Sequence, residues 1–408
     1  MAFNMNVIPD IYREGSVKNI RGGVGQDLWF FEFSDCYSIF DWGRMPDELP
    51  GKGKALALSC LAIYSWFEKK EAWSSLSMGP KNSKISLKWL EWLGLHGLKG
   101  HLKGPWNERG PFFKPISEIG GHIFLAFTPF NVIRPTWEES TSRWDYSCFK
   151  KKPSEGMVPL EVVFRFGMPQ GSSFKKRMND LHYLKTLSKG QDLSEEEFES
   201  LVKKDNRLWD FPFIEFSTKW EPEDRYLSYA EAQEMAGLSD GEFLSLCELN
   251  RLVAYQLRDL FSCMDLTLWD GKCEWAFSEE KGPFEGQRTF TLVDSLGPDE
   301  LRLSYKGLPF SKEAIRKVYR NSEWALEIEK AKEESREEGH KDWKSLYFEK
   351  ASNGPRSLGA KEKEIFSMIY LSLSNTLCEK LLKVRPFPEA WSLDKVGKTL
   401  SHELGEKQ

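Results

Sequence analysis

Residues 35 to 70 constrain this chain more than any other stretch. Asp35-Cys36-Tyr37-Ser38-Ile39-Phe40-Asp41 alternates apolar and polar side chains, then Met45-Pro46-Asp47-Glu48-Leu49 leads into Pro50-Gly51-Lys52-Gly53. KALALSCLAIYSWFEKK follows over residues 54–70. Period-two alternation predicts a strand, Pro-Gly a turn, and the apolar spacing after it a helix, whose Lys-rich end suits the negative end of a helix dipole. Glycine on both sides of Lys52 permits close backbone approach and positive φ, while the lysine supplies a point charge. Such a layout suits an anionic carboxylate or phosphate. It equally describes an ordinary strand and turn with a solvated lysine, and the segment alone does not choose.

The other segments give the context. Residues 11 to 33 read as two short strands around Gly22-Gly23-Val24-Gly25, and 121 to 134 and 157 to 166 as buried strands. Asp180 to Leu201 and Tyr229 to Phe261 read as mainly helical, the latter after a Ser228 N-cap. Leu266 to Phe277 and Arg288 to Leu296 are strand candidates, and Ser311 to Glu337 a helix ending in a charge run, EIEKAKEESREEGHKDWK, that reads as a solvated face or linker. A further amphipathic helix falls around Glu364 to Leu382. No repeat is evident. Strands first, alternating elements next and helices last predict an α+β, multi-layer α/β protein. The expected division is a β-rich lobe over 1–130, an α/β lobe over 131–335 and a helical extension over 336–408.

Composition narrows the function classes. A net charge of −5 gives no broad basic field for nucleic acid, and no apolar run approaches the ~20 residues of a membrane helix. The first residues, MAFNMNVIPD, lack a signal-peptide pattern, and seven scattered cysteines without a CxxC pair fit neither zinc nor a disulfide framework. A reducing compartment, the cytoplasm by default, is expected, with small-molecule rather than nucleic-acid or membrane partners, and a homo-oligomer is left open.

Five more segments carry chemistry. Glu14-Gly15-Ser16-Val17-Lys18 before the glycine turn can be a plain hairpin or a loop over phosphates, although it matches neither a Walker A loop nor GxGxxG. Met157 to Phe166 is a buried strand containing Arg165, and it leads to Gly171-Ser172-Ser173 and three basic residues. That can hold a phosphomonoester or simply start a solvated helix. Pro212 to Lys219, continuing to Glu221, Glu223 and Asp224, reads as a polar surface loop after a short strand or as a site edge. In Asp270-Gly271-Lys272-Cys273-Glu274, Lys272 and Glu274 emerge on one strand face, as a salt bridge or as site residues. If the Asp294-containing strand lies beside it, Glu274 and Asp294 can share Mg²⁺ with phosphate oxygens.

The order and spacing of these six segments resemble the SAICAR synthetase family over about residues 12 to 320. The resemblance rests on Glu14-Gly15-Ser16-Val17-Lys18, Ser38-Ile39-Phe40-Asp41 with Pro50-Gly51-Lys52-Gly53, and Pro159 to Arg165 with Gly171-Ser172. It continues through Ser217-Thr218-Lys219, Asp270 to Phe277 and Asp294 to Arg302. It implies a two-lobed fold with an ATP cleft. The implied reaction forms an amide, with ATP and Mg²⁺, between a carboxyaminoimidazole ribotide and L-aspartate through an acyl phosphate. By position, it places Gly15, Ser16 and Lys18 over the ATP phosphates, with Lys272, Glu274 and Asp294 at nucleotide and metal. Arg165, Ser172 and Arg302 would grip the ribotide phosphate, Asp299 its ribose. Ser38, Asp41 and Lys52 would line the reacting carboxylate, and Lys219 and Asp224 would close the site.

Departures cluster on the amine side. Glu223 replaces a family histidine, Ser295 a glutamate, Ser311 an aspartate and Ala276 a glycine, and the family's Thr-His turn reads Gly100-His101. They leave room for a paralogous ligase joining a different acid and amine, or for a non-catalytic nucleotide-binding protein. A small-molecule kinase rests only on the hairpin's likeness to a glycine loop.

Overall fold

A computed structural model describes residues 8–76, 83–107, 110–111, 123–191, 193–202, 207–278, 281–338, 342–350 and 353–405. Residues 121–122 of the expected strand and 339–341 of the charge run lie outside them. The chain divides into two compact units, each assembled from separated stretches. Unit 1 comprises Met1–Trp66, His101–Pro129 and Ser295–Gln408; unit 2 comprises Phe67–Gly100 and Phe130–Asp294. Residues 336–408, set apart as an extension by the sequence, group with the N-terminal strands.

Unit 1 is built on six antiparallel strands: β1 (Ile11–Arg13), β2 (Lys18–Arg21), β3 (Trp29–Phe33), β4 (Leu102–Asn107), β5 (Gly110–Pro111) and β6 (Phe124–Phe127), in the order β1-β2-β3-β6-β4-β5. The region expected to hold two strands holds three, because Gly15 and Ser16 interrupt the first. Neighbouring aromatics on β3 point to opposite faces. Phe30 packs edge-on against Trp106, with ring centroids 5.2 Å apart, and Phe31 stacks on Phe127 at 4.1 Å. The helix Lys52–Phe67 is apolar on nearly every side, as a helix buried all round must be. Lys69 and Lys70 lie beyond its end rather than in its last turn, so they do not serve its dipole as expected. The long helix Ala360–Leu382 packs on it, and the Cys378 thiol reaches the Leu58 carbonyl at 3.9 Å.

Unit 2 holds a ribbon, β7 (Thr136–Glu138) with β8 (Arg143–Asp145), and a larger antiparallel sheet. Its strands within unit 2 are β9 (Gly156–Gly167), β10 (Leu208–Thr218), β11 (Tyr226–Leu227), β12 (Leu266–Ser278) and β13 (Thr289–Val293), ordered β11-β10-β9-β12-β13. The expected helical stretch 229–261 is two helices, Tyr229–Met235 and Asp240–Ser262, separated at Gly237 (φ 58°). Each starts with a capping box, Ser228 with Glu231 and Ser239 with Glu242, which satisfies N–H groups a helix start otherwise leaves orphaned. The longer helix covers one face of the sheet: Phe216 meets Phe243, and the Trp275 indole donates to Asn250 at 3.2 Å. Side chains alternate along a strand, so the residues between these apolar ones emerge on the opposite face. That face carries Glu161, Arg165, Glu215, Asp270, Lys272 and Glu274, and unit 2 concentrates its buried charge there.

In unit 1, β14 (Leu301–Tyr305) and β15 (Leu308–Pro309) form a hairpin. The single helix expected over 311–337 is two, Lys312–Tyr319 and Glu323–Glu338. The charge run is not wholly solvated: Ile328, Ala331, Lys332 and Ser335 are buried.

Candidate active site

On the polar face of unit 2, register decides which charges meet. Glu274 on β12 lies opposite Glu161 on β9 and opposite Val293 at the end of β13. Asp294 follows directly, in the left-handed region at φ 62°, which aspartate tolerates better than most residues. The two strands expected to place Glu274 beside Asp294 are therefore adjacent. Like charges directly opposite in a sheet are destabilising, and two lysines relieve them. The Lys272 ammonium sits 2.7 Å from Glu161, and Lys219, just past β10, pairs with Glu274. Lys272 thus takes Glu161 as its ion-pair partner, not Glu274 as a same-strand salt bridge would have it.

Burial, then the charge of Asp294, push the Glu274 carboxyl above its ordinary value, against the pull of Lys219. Burial alone would lower Lys272, yet Glu161, Asp224 and Glu274 hold its ammonium well above the usual lysine range. Asp224 therefore belongs to the same electrostatic cluster. Among the described residues, no three His, Cys, Asp or Glu side chains are disposed to chelate a cation unaided. Two carboxylates side by side, one reluctant to ionise, instead suit a divalent cation that brings phosphate oxygens with it.

A second group occupies the same face. The Arg165 guanidinium is spent on Glu215 and on Asp270 at 3.2 Å, and reaches the Tyr226 hydroxyl at 2.9 Å and Ser173 at 3.4 Å. Glu215 also accepts from Arg177 at 2.7 Å and Tyr183 at 2.5 Å. Burial would raise the Glu215 carboxyl, but Arg165 and Arg177 outweigh it and keep it low. The Ser172 hydroxyl is buried with no hydrogen-bond partner among the described residues. Arg302, expected to join Arg165 and Ser172, belongs to unit 1, where Glu313 lies 3.7 Å away.

Unit 1 revises the opening segment. Residues 35–41 form no strand: β3 ends at Phe33, and the chain loops to the helix with one bridge, Cys36 to Glu48. Phe40 and Asp41 are both left-handed, at φ 55° and 59°, which breaks the alternation the sequence displays. The Asp35 carboxylate accepts from Gly51 N–H and Gly53 N–H, both at 2.9 Å, so the helix start is capped from within rather than left open for an anion. Gly51 needs its φ of 82°, and a Cβ on Gly53 would lie 2.7 Å from the Phe33 carbonyl oxygen.

Lys52 is fully buried and pairs with Asp299 at 2.8 Å. Tyr370 donates to the other Asp299 oxygen at 2.6 Å. Burial would raise the Asp299 carboxyl, but Lys52, then Lys312 and the Tyr370 hydroxyl, bring it down to about 2. Lys18 reaches Ser295 at 2.8 Å, Ser295 donates to Glu300 at 3.0 Å, and Lys18 lies 4.5 Å from the Phe31 ring centre. Asp41 pairs with Lys332 at 2.6 Å; burial would raise its carboxyl, and Lys332 outweighs that. Gly15 N–H closes a turn on Asn19 at 3.3 Å, and Ser16 and Ser38 are half-buried.

The expected residues therefore fall into separate groups. Lys219, Asp224, Lys272, Glu274 and Asp294 come together in unit 2; there too Arg165 lies beside Glu215 and reaches Ser173, the neighbour of Ser172. Lys52 with Asp299, Lys18 with Ser295 and Asp41 with Lys332 come together in unit 1. Sequence reasoning passed over Glu161, Glu215, Asp270, Lys332 and Tyr370. For the two glutamates a signal was present: a single acid inside a buried apolar strand, LEVVF or PFIEF, must have a partner.

The fold is that of a solved SAICAR synthase from Saccharomyces cerevisiae complexed with SAICAR. The two match with a TM-score of 0.50 at 17% identity, over 92% of this chain and 96% of that one. The SAICAR synthetase family model matches residues 11–332. A curated protein of Archaeoglobus fulgidus, provisionally named phosphoribosylaminoimidazole-succinocarboxamide synthase, is 30% identical over 371 residues, covering 88% of this chain and 92% of that protein. This chain belongs to the SAICAR synthetase family, ligases that form a carbon–nitrogen bond with ATP.

Proposed function

We propose that the protein joins a carboxyaminoimidazole ribotide to L-aspartate, with ATP and Mg²⁺, through an acyl phosphate. Family membership supports the reaction class, and the single observation that carries the reading onto this chain is the Glu274–Asp294 pair beside Lys219 and Lys272. The substrate carboxylate attacks the γ-phosphorus and ADP leaves; the amine then attacks the acyl carbon and phosphate leaves. The chain supplies position and charge rather than a nucleophile.

Glu274 and Asp294 would hold Mg²⁺, which when bound neutralises phosphate oxygens. Lys219, released from Glu274, would turn to the transferring group, with Asp224 and Lys272 keeping the local charge in balance. Gly15, Ser16 and Lys18 would cover the phosphates. Ser38, Asp41 and Lys52 would border the reacting carboxylate, Lys52 through its hold on Asp299. Asp299 would meet the ribose and Arg165, Ser172 and Arg302 the ribotide phosphate, for which the orphaned Ser172 hydroxyl is a ready donor.

ADP release with the ribotide, with and without aspartate, tests the reaction. Release that needs the ribotide and rises with aspartate is expected. Release with some other amine and none with aspartate would favour a different amine, as an acid at Glu223 in place of histidine suggests.

A further inference from the structure

The match to the family model ends at residue 332, yet a side chain well beyond it reaches the centre of unit 1. Tyr370, in the helix Ala360–Leu382, is 1% exposed, and its hydroxyl donates to Asp299 Oδ1 at 2.6 Å. Asp299 Oδ2 takes Lys52 at 2.8 Å, and the Lys52 ammonium lies 5.0 Å from the centre of the Tyr370 ring. The three groups form a closed triangle: ammonium to carboxylate, carboxylate to phenol, ring to ammonium. The next residue, Leu371, sits where a Cβ on Gly51 would come within 3.1 Å, so the same helix also packs on the turn that presents Lys52.

We propose that Tyr370 is the positioning residue of Asp299 in the ribotide subsite, and that the helix Ala360–Leu382 is thereby part of the ligase's working structure. This rests on the reading above that Asp299 meets the ribose. An ionised carboxylate has about four lone-pair sites, two on each oxygen. Lys52 uses one on Oδ2 and Tyr370 one on Oδ1, which fixes the carboxylate plane and leaves one acceptor position on each oxygen. Two acceptors held in a plane suit the two adjacent hydroxyls of a ribose. Burial, then the neighbouring Asp299, keep the Tyr370 hydroxyl well above the usual tyrosine range, so it stays a donor. Lys52 alone leaves the carboxylate free to rotate about its bond to the chain. The phenol removes that freedom.

The test is Tyr370→Phe, which keeps the ring, its packing and its contact with Lys52. The ribotide KM is expected to rise roughly tenfold, as for loss of one hydrogen bond to a charged group, with kcat and the ATP KM within about twofold of the parent. Calorimetric affinity for the ribotide reads the same change without turnover. Asp299→Asn is expected to weaken ribotide binding at least as much, and adding Tyr370→Phe to it should cost nothing further, because the tyrosine acts through the aspartate. Tyr305→Phe removes a hydroxyl from another C-terminal contact, the 2.8 Å bond to Asp394, and should leave ribotide binding unchanged. Unchanged binding in Tyr370→Phe beside weakened binding in Asp299→Asn overturns the inference, as does an equal loss in Tyr305→Phe. Unchanged binding in Asp299→Asn overturns the ribose reading and the inference with it.

Discussion

Lys52 and Lys219 are both lysines drawn onto a buried acid, and the two acids respond in opposite directions. In unit 1, Asp299 is paired with Lys52, feels the charge of Lys312 and accepts from a phenol, and its carboxyl falls to about 2. In unit 2, Glu274 is buried, meets the charge of Asp294 and lies across from Glu161, and its carboxyl rises despite its lysine. The first pair is satisfied from within and serves to hold a carboxylate still. The second keeps an acid whose ionisation the chain alone does not fully support, and the proposed Mg²⁺ would add positive charge there. A buried ion pair is therefore no single kind of object: one lysine fixes a carboxylate in place, and the other sits on an acid crowded by further acids.

The widest gap between the two regions should appear in catalysis. Glu274→Ala or Asp294→Ala is expected to lower ADP release with all substrates on the order of a thousandfold, since each would remove a ligand of the proposed Mg²⁺. Full turnover in either variant would end the metal assignment. Stability should separate the regions the other way. Lys52→Met leaves Asp299 buried without its cation and is expected to cost about 3–5 kcal/mol in urea unfolding. Lys219→Met should cost about 1 kcal/mol or less, because Glu274 can take up a proton when its lysine goes. Equal losses would break the comparison.

Acid titration sharpens it further. The Asp299 carboxyl is depressed, so its contribution of about 2 kcal/mol is present above its ordinary value and fades as pH falls toward about 2. Glu274 is raised, so it favours the folded state at low pH, and that advantage is lost as pH climbs from its ordinary value through the raised one. Unfolding curves of the parent minus Asp299→Asn and minus Glu274→Gln should thus slope oppositely, and Mg-ATP should flatten only the second. The smallest effect is expected at Lys332→Ala. Its partner Asp41 is half open to solvent, so loss of the pair should lower stability by about 1 kcal/mol at most.

Local chemistry was legible where one element decides it. The Ser228 cap, the helix after Gly53, the buried strand over 157–166 and the β12–β13 neighbours all follow from periodicity and turn residues. The opening strand was not: Asp35 to Asp41 alternates by composition, but Asp35 turns back to cap the helix and Phe40-Asp41 adopt positive φ, which period-two patterning cannot reveal. Partners across long separations were also hidden. Lys332 lies within a charge run whose acids read as solvated, and only the placement of Ile328 and Ala331 in the core turns it inward. Tyr370 offers no motif at all. Its role depends on Asp299, 71 positions earlier.

The way unit 1 is cut from the chain has a consequence for synthesis. Its six-stranded sheet comes from the first 66 residues and from 101–129, but Asp299, Tyr370 and the helix Ala360–Leu382 that packs on Lys52–Phe67 come from 295–408. As the chain leaves the ribosome, the early segments of unit 1 wait for their later partners, while 130–294 supply most of unit 2 in one uninterrupted stretch. The second unit to begin is thus the first that can finish, and the N-terminal sheet depends on the last part of this sequence to be translated.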